Sequence, residues 1–256
     1  MRALTLTPLP DIPLIKPGDD LAAILLQALR QSGPLLEDGD ILVLAQKIVS
    51  KAEDRFVNLA GIVPSPAALE LSEKSGKDPR LAELIIRESN EILRTRPGSV
   101  IVEHKLGFVC ANAGIDHSNV AGDGTPSEEW VLLLPEDPER SAAALRAALE
   151  KALGKQIGVM IIDSHGRAWR IGTVGTAIGF SGLPGAVDLR GESDLFGYTL
   201  QITVLGAADE LAAAASLVMG QAAEGMPVVH VRGFPYALRD GSLKELLRPR
   251  DQDMFR

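Results

Sequence analysis

The sequence predicts a mixed β-sheet with flanking helices. Apolar runs of strand length recur along the chain, separated by about four or five segments with the amphipathic pattern of helices. Two neighbouring runs, 99–104 and 108–111, are joined through Lys105-Leu106-Gly107 and predict a hairpin. The composition, 46% hydrophobic with only 4% aromatic residues, is ordinary for an enzyme of mixed α and β structure.

The first part of the chain predicts a helix, a buried strand and a polar strand end. Asp19 is a suitable N-cap, and Gly33 would end the helix. The apolar face of this helix would consist of Leu21, Ile24, Leu25, Ala28 and Leu29. The run 41–45 predicts a strand, after which polar residues return over 46–53. Lys51 is there a candidate phosphate contact, and a solvated surface lysine is an equally good interpretation.

Two further helices are predicted over 66–75 and 79–94. Ser65-Pro66 and Asp78-Pro79 each place a capping residue before a proline at the first helical position. In the second helix Glu83 with Arg87, and Arg87 with Glu91, are four residues apart and predict a solvated, salt-bridged edge.

The second half of the chain continues with strands and helices. The predicted elements are a strand over 130–134, a helix over 138–153, strands over 157–162 and 198–205, a helix over 208–219, a strand over 228–231 and a short helix over 242–247. No repeat, low-complexity linker or shift in composition marks a domain boundary, so residues 1–256 are treated as a single unit.

The stretch 110–125, C-A-N-A-G-I-D-H-S-N-V-A-G-D-G-T, predicts a loop rich in oxygen donors. Asp116, Asn119 and Asp123 are three to four residues apart, and glycines between them allow close approach of a ligand to the backbone. This composition suits a hard cation and phosphate. The alternative is an Asx-rich turn in which these side chains bond only their own backbone.

A second acidic segment follows the apolar run 157–162. Asp163 and Ser164 would lie at the carboxyl end of a buried strand, a common position for ligands of Mg²⁺ or Mn²⁺. Two such segments predict one shared site. His117 and His165 each lie one position after a candidate acidic or hydroxyl ligand. They could shuttle protons or contact substrate, but neutral, exposed histidines at the rim of the site are the favoured interpretation.

Charge and motifs exclude several classes of protein. The net charge of −8 argues against a nucleic-acid partner. The single cysteine, Cys110, excludes an intrachain disulfide, is read as a small buried hydrophobic residue and fits a reducing compartment. The sequence lacks a signal peptide and an apolar run long enough to span a bilayer, so a cytoplasmic location is expected. Rossmann, P-loop, serine-hydrolase and zinc-site patterns are missing too.

Six blocks carry a family resemblance: residues 12–21, 39–53, 111–120, 162–172, 177–183 and 220–227. Together they resemble the coenzyme F-420-0:L-glutamate ligase family, in the same order and over nearly the whole chain. The resemblance implies an α+β fold with two intimately joined subdomains in an intertwined homodimer. It also implies that the nitroreductase-like C-terminal domain of some relatives is not part of this chain.

The same resemblance implies a set of site residues. Asp116 and Asp163 would be catalytic and would ligate Mg²⁺ or Mn²⁺ together with Ser164 and Gln221, giving two metal sites. GTP would be held by Ile12, Pro13, Leu14, Ile15, Gln46, Lys51, Asn119 and the segment Met219, Gly220, Gln221, Ala222, Ala223, Glu224, Gly225 and Met226. A monovalent cation such as K⁺ is a further implied cofactor. Gln46, Ala223 and His165 depart from the residues usual in the family.

The reaction implied by the resemblance joins L-glutamate to the phospholactyl carboxylate of coenzyme F-420-0, building a γ-linked chain. GTP would activate the carboxylate as an acyl phosphate, and GDP and phosphate would be released. Two alternatives stay open: a metal-dependent amino-acid ligase for another carboxylated acceptor, and a non-catalytic GTP-binding dimer.

Overall fold

The computed structural model describes residues 3–122 and 129–254. Asp123 and Gly124 of the predicted cation loop lie outside the described residues. The strands are β1 Thr5–Pro8, β2 Ile41–Ala45, β3 Phe56–Asn58, β4 Ser89–Arg96, β5 Ser99–His104, β6 Val109–Ala111, β7 Trp130–Leu132, β8 Gly158–Gly166, β9 Thr173–Ser181, β10 Val187–Asp188, β11 Val204–Leu205 and β12 Val228–Arg232. The α-helices are α1 Leu21–Gln31, α2 Gln46–Ala52, α3 Pro66–Ser75, α4 Pro79–Arg87, α5 Pro138–Leu153 and α6 Ala207–Met219.

The main sheet has the strand order β1-β12-β2-β8-β9. β2 and β8 are parallel, and every other neighbouring pair in this sheet is antiparallel, which confirms the predicted mixed sheet. Three smaller sheets pair β4-β5-β6, β3-β7 and β10-β11. The predicted hairpin is confirmed, with Val102 opposite Cys110, and Cys110 is buried as expected.

Both faces of the main sheet are covered, which explains why its central strands read as continuous apolar runs. In β2, Ile41 and Val43 point to the face covered by α6, where they join Leu211 and Ala215 in one apolar cluster. The alternate residues Leu42 and Leu44 belong to the larger cluster that includes apolar residues of α1 and α5. Successive residues of a strand thus point into different halves of the core.

The helix predicted over 79–94 is wrong beyond Arg87. α4 ends there, and Ser89–Arg96 form β4, which pairs with β5 from Ser89 opposite His104 to Arg96 opposite Ser99. Ile92 fits a helical period with Ile85, but it is exposed on β4. The Glu83–Arg87 salt bridge is confirmed, whereas Glu91 pairs with Arg250. Here pairing with β5 outweighs the weak helical pattern of the sequence.

Four other predicted elements have different bounds. The strand predicted over 157–162 continues to Gly166, because β9 pairs with the extension. The strand predicted over 198–205 is reduced to β11, and the short helix over 242–247 is a 3₁₀ turn, Leu243–Glu245. The strand over 130–134 ends at Leu132. The polar stretch 46–53 after β2, for which the sequence predicts no helix, contains all of α2.

No helix within the described residues combines the length and apolar character that crossing a membrane requires. The two faces of the main sheet are buried in two apolar clusters. The described residues also contain the free, buried Cys110.

The buried carboxylate of Asp40 links the residues before β2 to the end of β12. Asp40, just before β2, accepts hydrogen bonds from Arg232 Nε at 2.9 Å and Arg232 Nη2 at 2.7 Å, and from the Glu37 amide at 2.8 Å. His230 Nε2 lies 2.9 Å from Asp40 Oδ2. Burial raises the pKa of Asp40, but the hydrogen bonds from Arg232 and Glu37 outweigh it and hold the pKa below the usual 3.8.

We expect Asp40→Asn to lower the free energy of unfolding at pH 7 by about 2 kcal/mol or more, because it leaves buried donors poorly paired. A carboxylate whose pKa is depressed by folding stabilises the protein above its unfolded pKa and loses this effect as the pH falls through the folded pKa. The difference between wild type and variant should therefore shrink below about pH 4. Urea denaturation between pH 3 and pH 7 measures it.

The control is Glu73→Gln, the same acid-to-amide change on the exposed side of α3. Its stability should follow the wild type at every pH. A constant difference between wild type and Asp40→Asn from pH 7 to pH 3 would contradict the assignment.

Candidate active site

The site lies where the parallel pairing of β2 and β8 ends. The last pair in the register is Ala45 with Ile162, so α2 begins at Gln46 beside the point where Asp163 follows on β8. Gln46 is buried and its amide is fixed at both ends. Its Nε2 donates to Asp116 Oδ2 at 2.7 Å, and its Oε1 accepts from Ser50 Oγ at 2.7 Å. The turn from strand to helix thus directs an amide at a candidate ligand.

Asp116 is held by its backbone and by two side chains. Its amide and carbonyl pair with Leu132 at 3.0 and 2.9 Å, next to the end of β7. Besides Gln46, Lys47 Nζ lies 2.5 Å from Asp116 Oδ2. Burial raises the pKa of Asp116 and the nearby charge of Asp163 raises it further, while the Lys47 ammonium acts against both. The charge of Asp163 therefore acts on the ionisation of Asp116.

Asp163 lies within β8, opposite Thr176, rather than at the tip of the strand. Relative to β2, however, it is the first residue past the last paired position. His165 Nε2 is 3.1 Å from Asp163 Oδ2. Burial would raise the pKa of Asp163, but the bond to His165 and the charges of His165 and Lys47 outweigh it and lower the pKa. The carboxylate is thus maintained as an anion.

The structure corrects the interpretation of His165 as an exposed residue at the rim. His165 is buried and packs against Phe108, with ring centroids 5.1 Å apart. Phe108 in turn stacks on His104 at 5.3 Å. His117 is exposed, as expected. The imidazole beside Asp163 is consequently held by aromatic packing as well as by its hydrogen bond.

Ser164 and Gln221 form a second pair on the other face of β8. Neighbouring residues of a strand point to opposite faces, and Ser164 follows Ile162 on the side of α6. Ser164 Oγ donates to Gln221 Oε1 at 2.9 Å, and Gln221 Nε2 donates to Ser216 Oγ at 3.0 Å. Of the four predicted metal ligands, Ser164 and Gln221 are joined by a hydrogen bond, whereas Asp116 and Asp163 influence each other through their charges.

The segment 219–226 lies beside Asn119. Asn119 Nδ2 donates to the Ala222 carbonyl at 3.1 Å, and Glu224 Oε2 accepts from the Ala222 amide at 2.8 Å. Gly220 has φ 76°, and a Cβ there would lie 2.2 Å from the Glu224 carboxyl carbon. Only glycine fits this turn. The next residue after the segment, Pro227, accepts from the Ala45 amide at 2.8 Å, which returns the chain to the end of β2.

The loop Ile12 to Ile15 approaches α2 from the opposite end of that helix. Ile15 is buried and Ile12 packs on the core, whereas Pro13 and Leu14 are exposed. The amide of Gly18 donates to the Ala52 carbonyl at 2.9 Å. No hydrogen bond within the described residues joins this loop to Asp116 or Asp163. The structure thus brings together the other predicted site residues more closely than it does this loop.

Lys51 lies one turn of α2 beyond Lys47. Burial lowers the pKa of Lys51 and the charge of Lys47 lowers it further, whereas Asp116 raises it. Both ammonium groups are therefore near Asp116. Lys47 was missed by sequence reasoning, although a lysine four residues before Lys51, directly after a buried strand, places both on one face if the stretch is helical.

The donor set fits a magnesium-like cation. No cluster of three or more His, Cys, Asp and Glu side chains that could hold a metal occurs in residues 3–122 and 129–254. Mg²⁺ is usually bound through one or two carboxylates, with water and substrate phosphates completing its shell. Asp116 and Asp163, with Ser164 and Gln221 oxygens across the strand, supply such hard ligands. Asp116 already carries one positive partner, because Lys47 Nζ lies 2.5 Å from its Oδ2.

Known proteins resemble this chain over almost its entire length. Proteins named coenzyme F420:L-glutamate ligase are 50% identical in Methanothermobacter thermautotrophicus, 46% in Methanococcus maripaludis and 45% in Methanopyrus kandleri. The alignments cover 96%, 96% and 100% of this chain and 96%, 95% and 99% of those relatives. The model of the family described as F420-0:gamma-glutamyl ligase matches residues 11–233. The chain therefore belongs to the F420-0:gamma-glutamyl ligase family.

Proposed function

We propose that this ligase uses GTP to join L-glutamate to the phospholactyl carboxylate of coenzyme F-420-0, extending a γ-linked chain and releasing GDP and phosphate. Family membership supports the substrates. The observation that carries the proposal is that Asp116 and Asp163, on separate segments, both lie within the influence of Lys47: its Nζ is 2.5 Å from Asp116 Oδ2, and its charge helps to lower the pKa of Asp163. Such a pair suits the handling of a triphosphate with a divalent cation.

The chemistry requires activation because a carboxylate has no good leaving group. In the proposed first step an oxygen of the acceptor carboxylate attacks the γ-phosphorus of GTP, and GDP leaves. In the second step the α-amine of glutamate attacks the acyl carbon, phosphate leaves and the nitrogen loses a proton. When bound, Mg²⁺ or Mn²⁺ would offset the charge of the phosphate oxygens. Asp116 and Asp163 would hold one cation, and Ser164 and Gln221 a second.

The protein's own groups would mainly position the reactants. Gln46 fixes Asp116, and His165 fixes Asp163, so both carboxylates are preorganised before substrate binds. Asn119 supports the Ala222 carbonyl and thereby the segment 219–226, which we assign to GTP. Lys51 would contact a phosphate, and the exposed Pro13 and Leu14 would contact another part of the nucleotide. A monovalent cation such as K⁺ would assist as a further cofactor.

We also propose that the protein acts as a homodimer. Leu195, Phe196 and Ile202 are almost fully exposed on the segment between β10 and β11. This segment is ordered by Asp194, whose Oδ1 accepts from the amides of Phe196 and Tyr198 at 2.8 and 2.9 Å. A fixed turn that presents large apolar side chains to solvent indicates an interaction surface. A second copy of the chain is the proposed partner.

We predict that Asp116→Ala and Asp163→Ala each lower turnover by roughly 100-fold or more, equivalent to about 2.7 kcal/mol in the barrier. Each removes a cation ligand beside the phosphates. The measurement is mass spectrometry of the product formed from coenzyme F-420-0, GTP, glutamate and Mn²⁺, with GDP release followed in parallel. Assays with other carboxylated acceptors would show whether the deazaflavin acceptor is preferred.

Asp251→Ala is the matched control, because it removes an exposed carboxylate from the C-terminal part of the chain. Its turnover should equal that of the wild type. Full turnover in Asp116→Ala or Asp163→Ala would remove that residue from the proposed metal site, and GTP binding without glutamate-dependent turnover in the wild type would contradict the ligase proposal.

We predict that Phe196→Asp converts the dimer to a monomer, because a charge would be buried in an apolar interface without a partner. Light scattering on a sizing column measures the mass directly. Phe196→Tyr should keep the dimer. A wild type that is monomeric at micromolar concentration would contradict the homodimer.

A further inference from the structure

Lys47 forms an ion pair with Asp116, one of the two carboxylates proposed to hold a cation. Its Nζ lies 2.5 Å from Asp116 Oδ2, and the same oxygen accepts from Gln46 Nε2 at 2.7 Å. The side chains of Lys47 and Asp116 are only 27% and 23% exposed, so the ion pair is largely shielded from water. A shielded pair of this kind is screened by salt much less than a surface pair.

The ammonium acts on both carboxylates. Asp163 is 13% exposed, and the charges of Asp116 and Asp163 repel each other. Lys47 is electrostatically coupled to each of them. Without a nearby positive charge, two shielded carboxylates that repel each other would either take up a proton or move apart. Lys47 is thus a positive charge that acts on both carboxylates, beside the separate contacts of Gln46 with Asp116 and of His165 with Asp163.

We propose that Lys47 is a built-in counter-cation, which holds Asp116 and Asp163 together until a divalent cation displaces its ammonium toward the polyphosphate of the nucleotide. This inference rests on the proposed function for the identity of the polyphosphate. A lysine suits the role because its compact charge sits on a flexible stem of four carbons. Lysine is also a common phosphate ligand, so the displaced ammonium would have a new partner.

Lys51 supports the direction of this movement. It lies four residues after Lys47 on the same face of α2, and the two charges repel each other. Adding a divalent cation at Asp116 would leave three positive centres close together. That cluster would attract a polyphosphate strongly. Cation and nucleotide would therefore favour each other's binding, a coupling that must be reciprocal.

The first test measures Mn²⁺ binding to the full chain without nucleotide, by calorimetry or by the loss of the free Mn²⁺ signal in electron paramagnetic resonance. Lys47→Gln removes the competing charge, so Mn²⁺ should bind about tenfold more tightly than to the wild type. Its melting temperature without metal should fall, and Mn²⁺ should raise it by more than in the wild type. Lys47→Arg keeps the charge and should not gain affinity.

Lys74→Gln is the matched control. It removes one lysine charge from an exposed pair with Glu70 on α3, and its Mn²⁺ affinity should equal that of the wild type. Equal or weaker Mn²⁺ binding by Lys47→Gln, or no detectable binding by either protein, would overturn the counter-cation role. A gain shared by Lys74→Gln would attribute the effect to net charge and would also overturn it.

The second test uses a non-hydrolysable GTP analogue at saturating Mn²⁺. The analogue should bind Lys47→Gln about tenfold more weakly than the wild type, because the released ammonium is missing. Unchanged analogue affinity would overturn the movement toward the polyphosphate. Turnover of the wild type separates the two proposals. If the wild type ligates glutamate but Lys47→Gln has the Mn²⁺ affinity of the wild type, only the counter-cation role of Lys47 is refuted. If Lys47→Gln binds Mn²⁺ more tightly but the wild type shows no GTP-dependent turnover, only the ligase mechanism is refuted.

Discussion

The parallel pairing of β2 with β8 is the constraint on which the site depends. It stops after Ala45 and Ile162, and from there the two strands behave differently. β2 turns into α2 and presents Gln46 and Lys47, whereas β8 continues along β9 and carries Asp163 past the end of its neighbour. The Asp163 carboxylate is thereby placed beside the first residues of a helix.

The two carboxylates of the site each have hydrogen-bond or ion-pair partners. Asp116 is held by an amide and an ammonium, and Asp163 by an imidazole packed against Phe108. Each group lowers the cost of burying its neighbour. The two carboxylates are therefore held in place by side chains of the protein itself.

The sequence predicted the central strands well because their apolar runs are long and buried on both faces. It also predicted that Asp116 and Asp163 share a metal site; the charge of Asp163 raises the pKa of Asp116, and the metal site itself stays a prediction. It failed where the partner decides the structure. Ser89–Arg96 follow a helix without a strong break, and only pairing with β5 makes them a strand. Lys47 was not predicted as a site residue because α2 is too short to show a periodic pattern.

The alternation of side chains along β8 decides which polar group lies on each face of the strand. Asp163 and Ser164 are consecutive, yet one faces the Asp116 side and the other meets Gln221 beside α6. A single strand thus carries a carboxylate on one face and a hydroxyl on the other. Losing one residue upstream on this strand would exchange the two faces, leaving a hydroxyl facing Lys47 and a carboxylate facing Gln221.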